Sequence, residues 1–168
     1  DRPTVIGLSM GGYIAQLLAT GYPNILSRIV LISSTADHRP YMAATAGKKT
    51  ASYSLPGPEQ SYLDYITAAS VNPPQSPDEV LQSMSEGWRV TYGGPRPYPK
   101  AQVEHALQVA VQRAPDLATG FHHGWAVAAA PDRMHLVTRI TAPTLVLHGR
   151  YDPLLPLALM LKKHFGID

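Results

Sequence analysis

A serine flanked by glycines near the start of the chain is the residue best suited to covalent chemistry. Residues 7–11 read GLSMG, and they join a short apolar run to an amphipathic helical pattern. A serine at such a strand-to-helix turn projects its hydroxyl from the end of a sheet, where it can attack an acyl carbon. Ser9 is therefore the candidate nucleophile. The alternative is a glycine-rich turn in which an ordinary serine caps the helix.

The neighbours of Ser9 suit the same chemistry. A turn this tight brings the residues two before and two after the serine together, which explains Gly7 and Gly11. Gly12 gives the helix room to approach the sheet. The backbone N–H of Met10 lies at a helix N-terminus, where N–H groups have no partner in the helix. We expect Met10 to be one of two donors to the negative oxygen that forms during acyl transfer.

Asp152 is the second candidate for chemistry. It lies five residues beyond the apolar run at residues 142–147. In α/β proteins the functional groups gather beyond the carboxyl ends of the strands, and a carboxylate there can orient a histidine and stabilise its protonated form. The alternative is a turn aspartate that caps a helix starting near Leu154.

No histidine clearly completes this set. The base is expected to follow the acid in the chain, and only His164 follows Asp152. His164 ends a predicted helix, where a cation also interacts favourably with the helix dipole. His122 and His123 are expected to pack or to line a cavity, and His148 is expected to be structural. The histidines show no metal-ligand spacing, so neither a metal nor a cofactor is expected.

Three apolar runs, in which apolar and polar residues do not alternate, must position these residues. Such runs predict strands covered on both faces, as in a parallel sheet, and they occupy residues 3–8, 28–33 and 142–147. The first two enclose a helical pattern that ends near Gly21, which makes a βαβ unit. A last helix is predicted at residues 154–164. The fold class is therefore α/β with a mostly parallel sheet.

Residues 36–130 separate the second strand from the third and are rich in proline and short helical patterns. Residues 76–79 (SPDE) form a capping box, which predicts a helix start. Further helices are predicted near residues 60–69, 99–113 and 117–130. We interpret this stretch as a helical cap, inserted between two core segments at residues 1–35 and 131–168.

Four aromatic residues of the predicted cap have two interpretations. They could line an apolar substrate pocket, or they could hold the short helices together. They are Tyr62, Tyr65, Trp88 and Trp125.

Composition excludes several classes of function. The chain has 168 residues, a net charge of +2 and no cluster of Lys and Arg, so nucleic acid is not an expected partner. No apolar run reaches the roughly 20 residues that a membrane-spanning helix needs. The absence of cysteine excludes disulfides and thiolate metal sites. No signal peptide is visible, and a cytoplasmic location is the simplest expectation.

Several stretches resemble the α/β-hydrolase superfamily. They are residues 7–13 (GLSMGGY), 22–23 (YP), 31–34 (LISS) and 143–153 (PTLVLHGRYDP). The cap has a looser similarity to the aclacinomycin-methylesterase-like branch, at residues 55–60 (LPGPEQ), 62–64 (YLD) and 88–89 (WR). The resemblance implies strands five to seven of a partial α/β-hydrolase fold. It also favours Asp152 as the acid of a catalytic triad.

The resemblance implies further parts that the chain does not supply. In the family, an early His-Gly loop gives the second oxyanion donor, and the catalytic histidine follows one more strand after the acid. We therefore expect the chain to be truncated at both ends and nearly inactive by itself, with its histidine beyond residue 168.

The parent protein is expected to be a serine hydrolase that cleaves a small carboxylic ester through an acyl-enzyme. Ser9 excludes the carboxylate-nucleophile dehalogenases of the same fold. It leaves lactonase, thioesterase, carbon–carbon bond hydrolase and perhydrolase chemistry open. The alternative is a non-catalytic protein that keeps the fold for binding or scaffolding. A further possibility is self-association through the unpaired edge of the first strand.

Overall fold

Residues 1–114 and 120–157, which the computed structural model describes, form a three-stranded parallel sheet with helices. The strands are β1 (Thr4–Leu8), β2 (Arg28–Ile32) and β3 (Thr144–Leu147), and β2 lies between the other two. Because the pairing is parallel throughout, the carboxyl ends of all three strands meet at one end of the sheet. The described helices are α1 (Met10–Gly21), α2 (Arg39–Thr45), α3 (Gln60–Val71), α4 (Pro77–Tyr92), α5 (Lys100–Arg113), α6 (Gly120–Ala129) and α7 (Met134–Val137), with a 3₁₀ turn at Pro23–Ile25.

The predicted α/β fold class is confirmed, and its centre is the βαβ unit formed by β1, α1 and β2. The narrow face of α1 packs on the sheet. Ala15 and Ala19 are completely buried there, against a core formed by Leu26, Ile29 and Leu31. Short side chains at these two helix positions let the helix lie close to the strands and place the start of α1 over the end of β1.

The predicted burial of the strands on both faces is wrong for the two outer strands. Ile6 and Leu8 of β1 are 65% and 61% exposed, and Leu145 and Leu147 of β3 are also exposed. Side chains of a strand alternate between the two faces of a sheet. Among the described helices, α1 packs extensively on the sheet, and it covers one face only.

The predicted helices between β2 and β3 are present as α3 to α6, and residues 117–119 of the last of them lie outside the described residues. Helices α2 and α7 were not predicted. The capping box forms at the start of α4, where the side chain of Ser76 accepts the N–H of Glu79. The carboxylate of Glu79 accepts the N–H of Gln75 at 2.6 Å, one residue earlier than a standard box would give. The helix predicted at residues 154–164 falls mostly outside the described residues. The division into core and cap stays a prediction.

A partly buried polar cluster joins the two ends of this helical segment. We call it the base cluster, and it consists of Asp37, His38, Arg39, Asp132 and Arg133. Arg39 forms ion pairs with Asp37 at 2.7 Å and with Asp132 at 2.8 Å. Nη2 of Arg133 lies 3.1 Å from Nδ1 of His38, and both side chains are buried. Residues near both ends of the segment are thereby held together.

The pKa values of His38 and Asp37 are both lowered within the base cluster. Burial, together with the positive charge of Arg133, lowers the pKa of His38. Burial alone would raise the pKa of Asp37, but hydrogen bonds and charge from Arg39 outweigh it, so the pKa of Asp37 is lowered.

Within the described parts of the chain, no helix has the length and apolar character needed to cross a membrane.

Candidate active site

Ser9 lies in the turn between β1 and α1 in a strained backbone conformation, with φ of 50° and ψ of −115°. Positive φ at a non-glycine residue is costly, on the order of 1–3 kcal/mol, and persists only where the surroundings impose it. Here the surroundings are hydrogen bonds to the backbone groups of Ser9. The N–H of Ser9 donates to the carbonyl of Ile32 at 2.9 Å. Its carbonyl accepts the N–H of Gly12 and the hydroxyl of Ser34, both at 2.9 Å.

The hydroxyl of Ser9, in contrast, is not used by the turn. Ser9 occupies the N-cap position of α1, but its side chain makes no capping hydrogen bond. An ordinary capping serine would accept an N–H from the first turn of the helix. The geometry therefore differs from the capping alternative and leaves the hydroxyl available to a ligand.

The glycines of the turn are not equally crowded. A Cβ atom on Gly7 would lie 2.2 Å from the carbonyl oxygen of Gly11, which is impossible without moving the backbone. A Cβ on Gly12 would lie 2.3 Å from the hydroxyl of Ser34. A Cβ on Gly11 meets nothing within 4 Å. The crowding predicted at Gly11 is therefore absent where its side chain would be. At Gly7 and Gly12, in contrast, a side chain would overlap neighbouring atoms, so this turn requires glycine there.

Met10 is the first residue of α1. Its N–H precedes the first hydrogen bond of the helix, so it has no carbonyl partner within α1. The positive end of the helix dipole adds to the favourable field for a negative oxygen beside Ser9. Met10 thus lies directly after the serine at a helix N-terminus, and its role as an oxyanion donor stays a prediction.

Asp152 lies in the loop after β3, at the end of the sheet where Ser9 lies. Its Oδ1 accepts the N–H groups of Leu154 and Leu155, both at 2.9 Å. Its Oδ2 lies 3.2 Å from Nε2 of His148. The capping interpretation of Asp152 is therefore present, but it occupies only one of the two carboxylate oxygens.

His148 supports the loop that carries Asp152. Its side chain is 1% exposed, and Nε2 lies 2.6 Å from the carbonyl oxygen of Leu155. A carbonyl can only accept, so Nε2 carries the proton and donates it to Leu155. The contact between His148 and Asp152 was not predicted, although the two residues are only four positions apart in the sequence.

The inserted helices also contact this loop. The N–H of Glu59, at the start of α3, donates to the carbonyl of Pro153 at 2.7 Å. After α4, Gly93 has a φ of 58°, and a Cβ there would lie 2.0 Å from the carbonyl oxygen of Tyr151. The segment between β2 and β3 thus contacts the loop backbone on both sides of Asp152.

Ser9 and Asp152 line the same cavity, which has a volume of about 490 Å³. Volumes between about 300 and 1,000 Å³ are typical of small-molecule sites. Its wall is mostly apolar and includes residues of β1, α3 and α4. The lining residues are Leu8, Ser9, Ser33, Tyr62, Tyr65, Met84, Gly87, Trp88, Thr91, Asp152, Leu154 and Leu155.

A second cavity of about 430 Å³ also reaches Ser9. It extends toward α2 and α6, and its wall includes Tyr13, Tyr41, Met42, His123 and Trp125. Four residues line both cavities, namely Ser9, Tyr62, Leu154 and Leu155. Ser9 therefore stands where two mostly apolar spaces meet.

A family model described as alpha/beta hydrolase fold matches residues 1–163. The chain belongs to this family. The match covers nearly the whole chain, including both the Ser9 turn and the Asp152 loop, and it confirms the resemblance inferred from the motifs.

Curated relatives of this α/β hydrolase include two methylesterases. Rhodomycin D methylesterase DnrP of Streptomyces peucetius is 28% identical over 156 residues, which are 90% of this chain and 52% of the relative. Rhodomycin D methylesterase DauP of Streptomyces sp. (strain C5) is 27% identical over the same shares of both chains. The chain spans about half the length of the curated relatives it matches.

A solved structure with a similar fold is a meta-cleavage product hydrolase (CumD) from Pseudomonas fluorescens IP01, a variant complexed with acetates. It superposes with a TM-score of 0.59 at 16% identity, over 100% of this chain and 54% of that one. At this identity the likeness shows the fold alone.

The four aromatic residues of the predicted cap all line cavities at Ser9, and one of them also ties two helices together. Tyr62, Tyr65 and Trp88 line the first cavity, and Tyr62 and Trp125 line the second. Tyr65 also donates its hydroxyl to the carbonyl of Ser83 at 3.0 Å, which ties α3 to α4.

The histidines of this α/β hydrolase do not complete a triad within the described residues. The cavity shared by Ser9 and Asp152 has no histidine among its described lining residues. His123 lines the second cavity, and the ring of His122 lies 5.1 Å from that of Trp125. His164 lies outside the described residues. In the described chain, no three potential ligand side chains come together as a metal site would need.

Proposed function

We propose that this protein, in its whole form, is a serine hydrolase that cleaves a carboxylic ester through an acyl-enzyme. The observation that carries the proposal is the Ser9 hydroxyl. It is held in a strained turn by backbone bonds, it makes no capping hydrogen bond, and it lines a mostly apolar cavity together with Asp152. The similarity to two methylesterases supports an ester as the substrate class.

In the proposed reaction, Oγ of Ser9 attacks the ester carbonyl and a general base takes its proton. The N–H of Met10 donates to the oxygen that becomes negative. The alcohol leaves with a proton from the base, and water then releases the acid from the serine. Asp152 orients the base and stabilises its protonated form through Oδ2, the oxygen that Leu154 and Leu155 leave free.

We further propose that the base and the second oxyanion donor come from outside the described residues. The support is that the described histidines do not line the cavity between Ser9 and Asp152. His148 is buried and already donates to the carbonyl of Leu155.

The test uses a version of the protein extended to the length of its relatives. We expect a fluorophosphonate probe to label Ser9 stoichiometrically and p-nitrophenyl butyrate to be hydrolysed. Ser9→Ala should lower kcat by about 10⁶-fold, since losing the nucleophile of a triad has that effect.

Ser34→Ala is the matched control, because it removes a nearby hydroxyl that is bonded to the Ser9 carbonyl. It should keep the labelling of Ser9. Equal turnover by the parent and Ser9→Ala would refute the esterase proposal. Absence of any labelling would instead favour a non-catalytic binding protein.

A further inference from the structure

Tyr62 has a position that no other tyrosine of the described chain shares. Four residues line both cavities at Ser9, and of these only Ser9 and Tyr62 have polar side chains. Tyr62 therefore lines each of the two spaces from which a ligand could reach Ser9.

The ring of Tyr62 is held between two other tyrosines. Its centroid lies 6.2 Å from that of Tyr41 and 6.3 Å from that of Tyr65, in tilted arrangements. Such pairs are favourable at centroid distances of about 4.5–7 Å. The side chain is half-buried and comes from α3, so its position is set by packing and not by a loop.

The hydroxyl of Tyr62 is only weakly used within the described protein. It lies 3.4 Å from the hydroxyl of Tyr41, whereas hydroxyl hydrogen bonds are commonly about 2.7–2.8 Å long. The hydroxyl of Tyr65, by comparison, donates to the carbonyl of Ser83 at 3.0 Å. The hydroxyl of Tyr62 can therefore donate a hydrogen bond to a ligand in place of its long contact with Tyr41.

The proton of this hydroxyl stays on the oxygen. Burial raises the pKa of Tyr62, and the neighbouring tyrosines and the negative charge of Asp152 raise it further. A neutral hydroxyl that lines a mostly apolar space loses its contact with water when a ligand fills that space. A purely apolar ligand would leave it unpaired, which is unfavourable, while a ligand with an acceptor oxygen would satisfy it.

We propose that the Tyr62 hydroxyl is a specificity-determining hydrogen-bond donor, which selects esters that carry an acceptor oxygen close to the scissile carbonyl. The inference rests on the proposed esterase function. Because Tyr62 faces both cavities, the acceptor oxygen belongs to the acyl group or to the alcohol group of the ester.

Two pairs of isosteric esters test this proposal in the extended protein. p-Nitrophenyl methoxyacetate and p-nitrophenyl butyrate differ by an ether oxygen in the acyl group. 2-Methoxyethyl butyrate and n-butyl butyrate differ in the same way in the alcohol group. The measured quantity is kcat/KM for the ether ester divided by kcat/KM for its partner. This ratio is compared between each variant and the unsubstituted protein, so that the intrinsic reactivity of the esters cancels.

We expect Tyr62→Phe to lower this ratio by about 2–10-fold in at least one pair, the effect of one neutral hydrogen bond. The ring is kept, and only a long contact to Tyr41 is lost, so the variant should fold. Tyr98→Phe is the matched control, since it removes a tyrosine hydroxyl that donates to the carbonyl of Ser85 and lines neither cavity. Its ratios should equal those of the parent.

The outcomes separate this inference from the function on which it rests. Ratios of Tyr62→Phe that match the parent in both pairs, with Ser9-dependent turnover intact, overturn the role of Tyr62 and leave the esterase proposal standing. An extended protein without Ser9-dependent turnover overturns both. A fall of similar size in Tyr98→Phe would also overturn it, because the effect would then not depend on the cavity.

Discussion

The Ser9 turn and the Asp152 loop differ in how they hold the side chains that we propose for catalysis. The turn is fixed by backbone groups and by glycines, and the Ser9 hydroxyl takes no part in capping it. The loop is fixed by the Asp152 carboxylate itself, which accepts two backbone N–H groups and faces His148. A nucleophile must be free to react, whereas a triad acid only has to be held in place.

This difference implies that the two residues contribute differently to folding. Removing the Ser9 hydroxyl breaks no hydrogen bond found in the described protein, so its effect is expected to be confined to activity. Removing the Asp152 carboxylate breaks the loop's own hydrogen bonds, so activity and stability should fall together. Three predictions test or sharpen this contrast.

Substitution of Asp152 should have the largest effect, and two variants separate its roles. In the extended protein, Asp152→Asn keeps an oxygen for Leu154 and Leu155 but loses the charge. We expect about a 10⁴-fold loss of kcat, as for other triad acids, with a modest loss of stability. Asp152→Ala should lose similar activity and also about 2–4 kcal/mol of unfolding free energy, because two N–H groups lose a charged acceptor.

Turnover of p-nitrophenyl butyrate and denaturation in urea measure the two effects. Ser9→Ala is the comparison, and its unfolding free energy should lie within about 0.5 kcal/mol of the parent. An active Asp152→Asn variant beside an inactive Asp152→Ala variant would mean that Asp152 is a capping residue only.

The glycines of the turn give the second prediction. Gly7→Ala should destabilise the protein by about 3 kcal/mol, since its Cβ would overlap the backbone of Gly11 and Gly12. Gly11→Ala should change stability by less than about 1 kcal/mol, in the stabilising direction, because its Cβ has open space and alanine favours helices.

Thermal unfolding of the two variants, measured side by side, checks this asymmetry. Equal destabilisation by both substitutions would show that positions 7 and 11 are both crowded, as predicted from the sequence. Because neither variant removes a polar group, the result does not depend on the proposed chemistry.

The sequence predicted the Ser9 turn well because its determinants are local. The change from an apolar run to a helical pattern and the glycines around Ser9 are all contained in residues 3–21. The coverage of β1 was predicted wrongly for the opposite reason. An apolar run shows that a strand suits burial on both faces, but it does not show which element lies on each face, and here α1 covers only one.

The Asp152 loop and Tyr62 were only partly predictable. The spacing after β3 places Asp152 at the end of the sheet, but it does not distinguish a capping carboxylate from a triad acid, and the structure shows that one oxygen caps while the other faces His148. The position of Tyr62 at the meeting of two cavities results from the packing of α3 beside Ser9, which no local pattern records.

The pH dependence of stability should show the smallest effect. It tests the base cluster, which contacts the helix that follows Ser9. His38 of the base cluster lies beside Tyr13 of α1, with ring centroids 6.0 Å apart. The charged groups near it are Arg133, Asp37 and Arg39, and the Ala130 backbone also bonds to it. Burial, together with the charge of Arg133, lowers the pKa of His38 in the folded state, so the unfolded state, with a pKa of about 6.5, binds the proton more readily.

The free energy of unfolding should therefore lose nothing to His38 above about pH 6.5. It should decrease as the pH falls from there toward the lower pKa of His38 in the folded state. His38→Gln offers Arg133 an acceptor oxygen that does not titrate, and it should flatten the dependence of the urea midpoint on pH between 7 and 5. His105→Gln, at an exposed position of α5, should leave the parent's slope unchanged. If His38→Gln keeps the full slope, the acid sensitivity of the protein comes from another titratable group, and His38 behind α1 does not contribute to it.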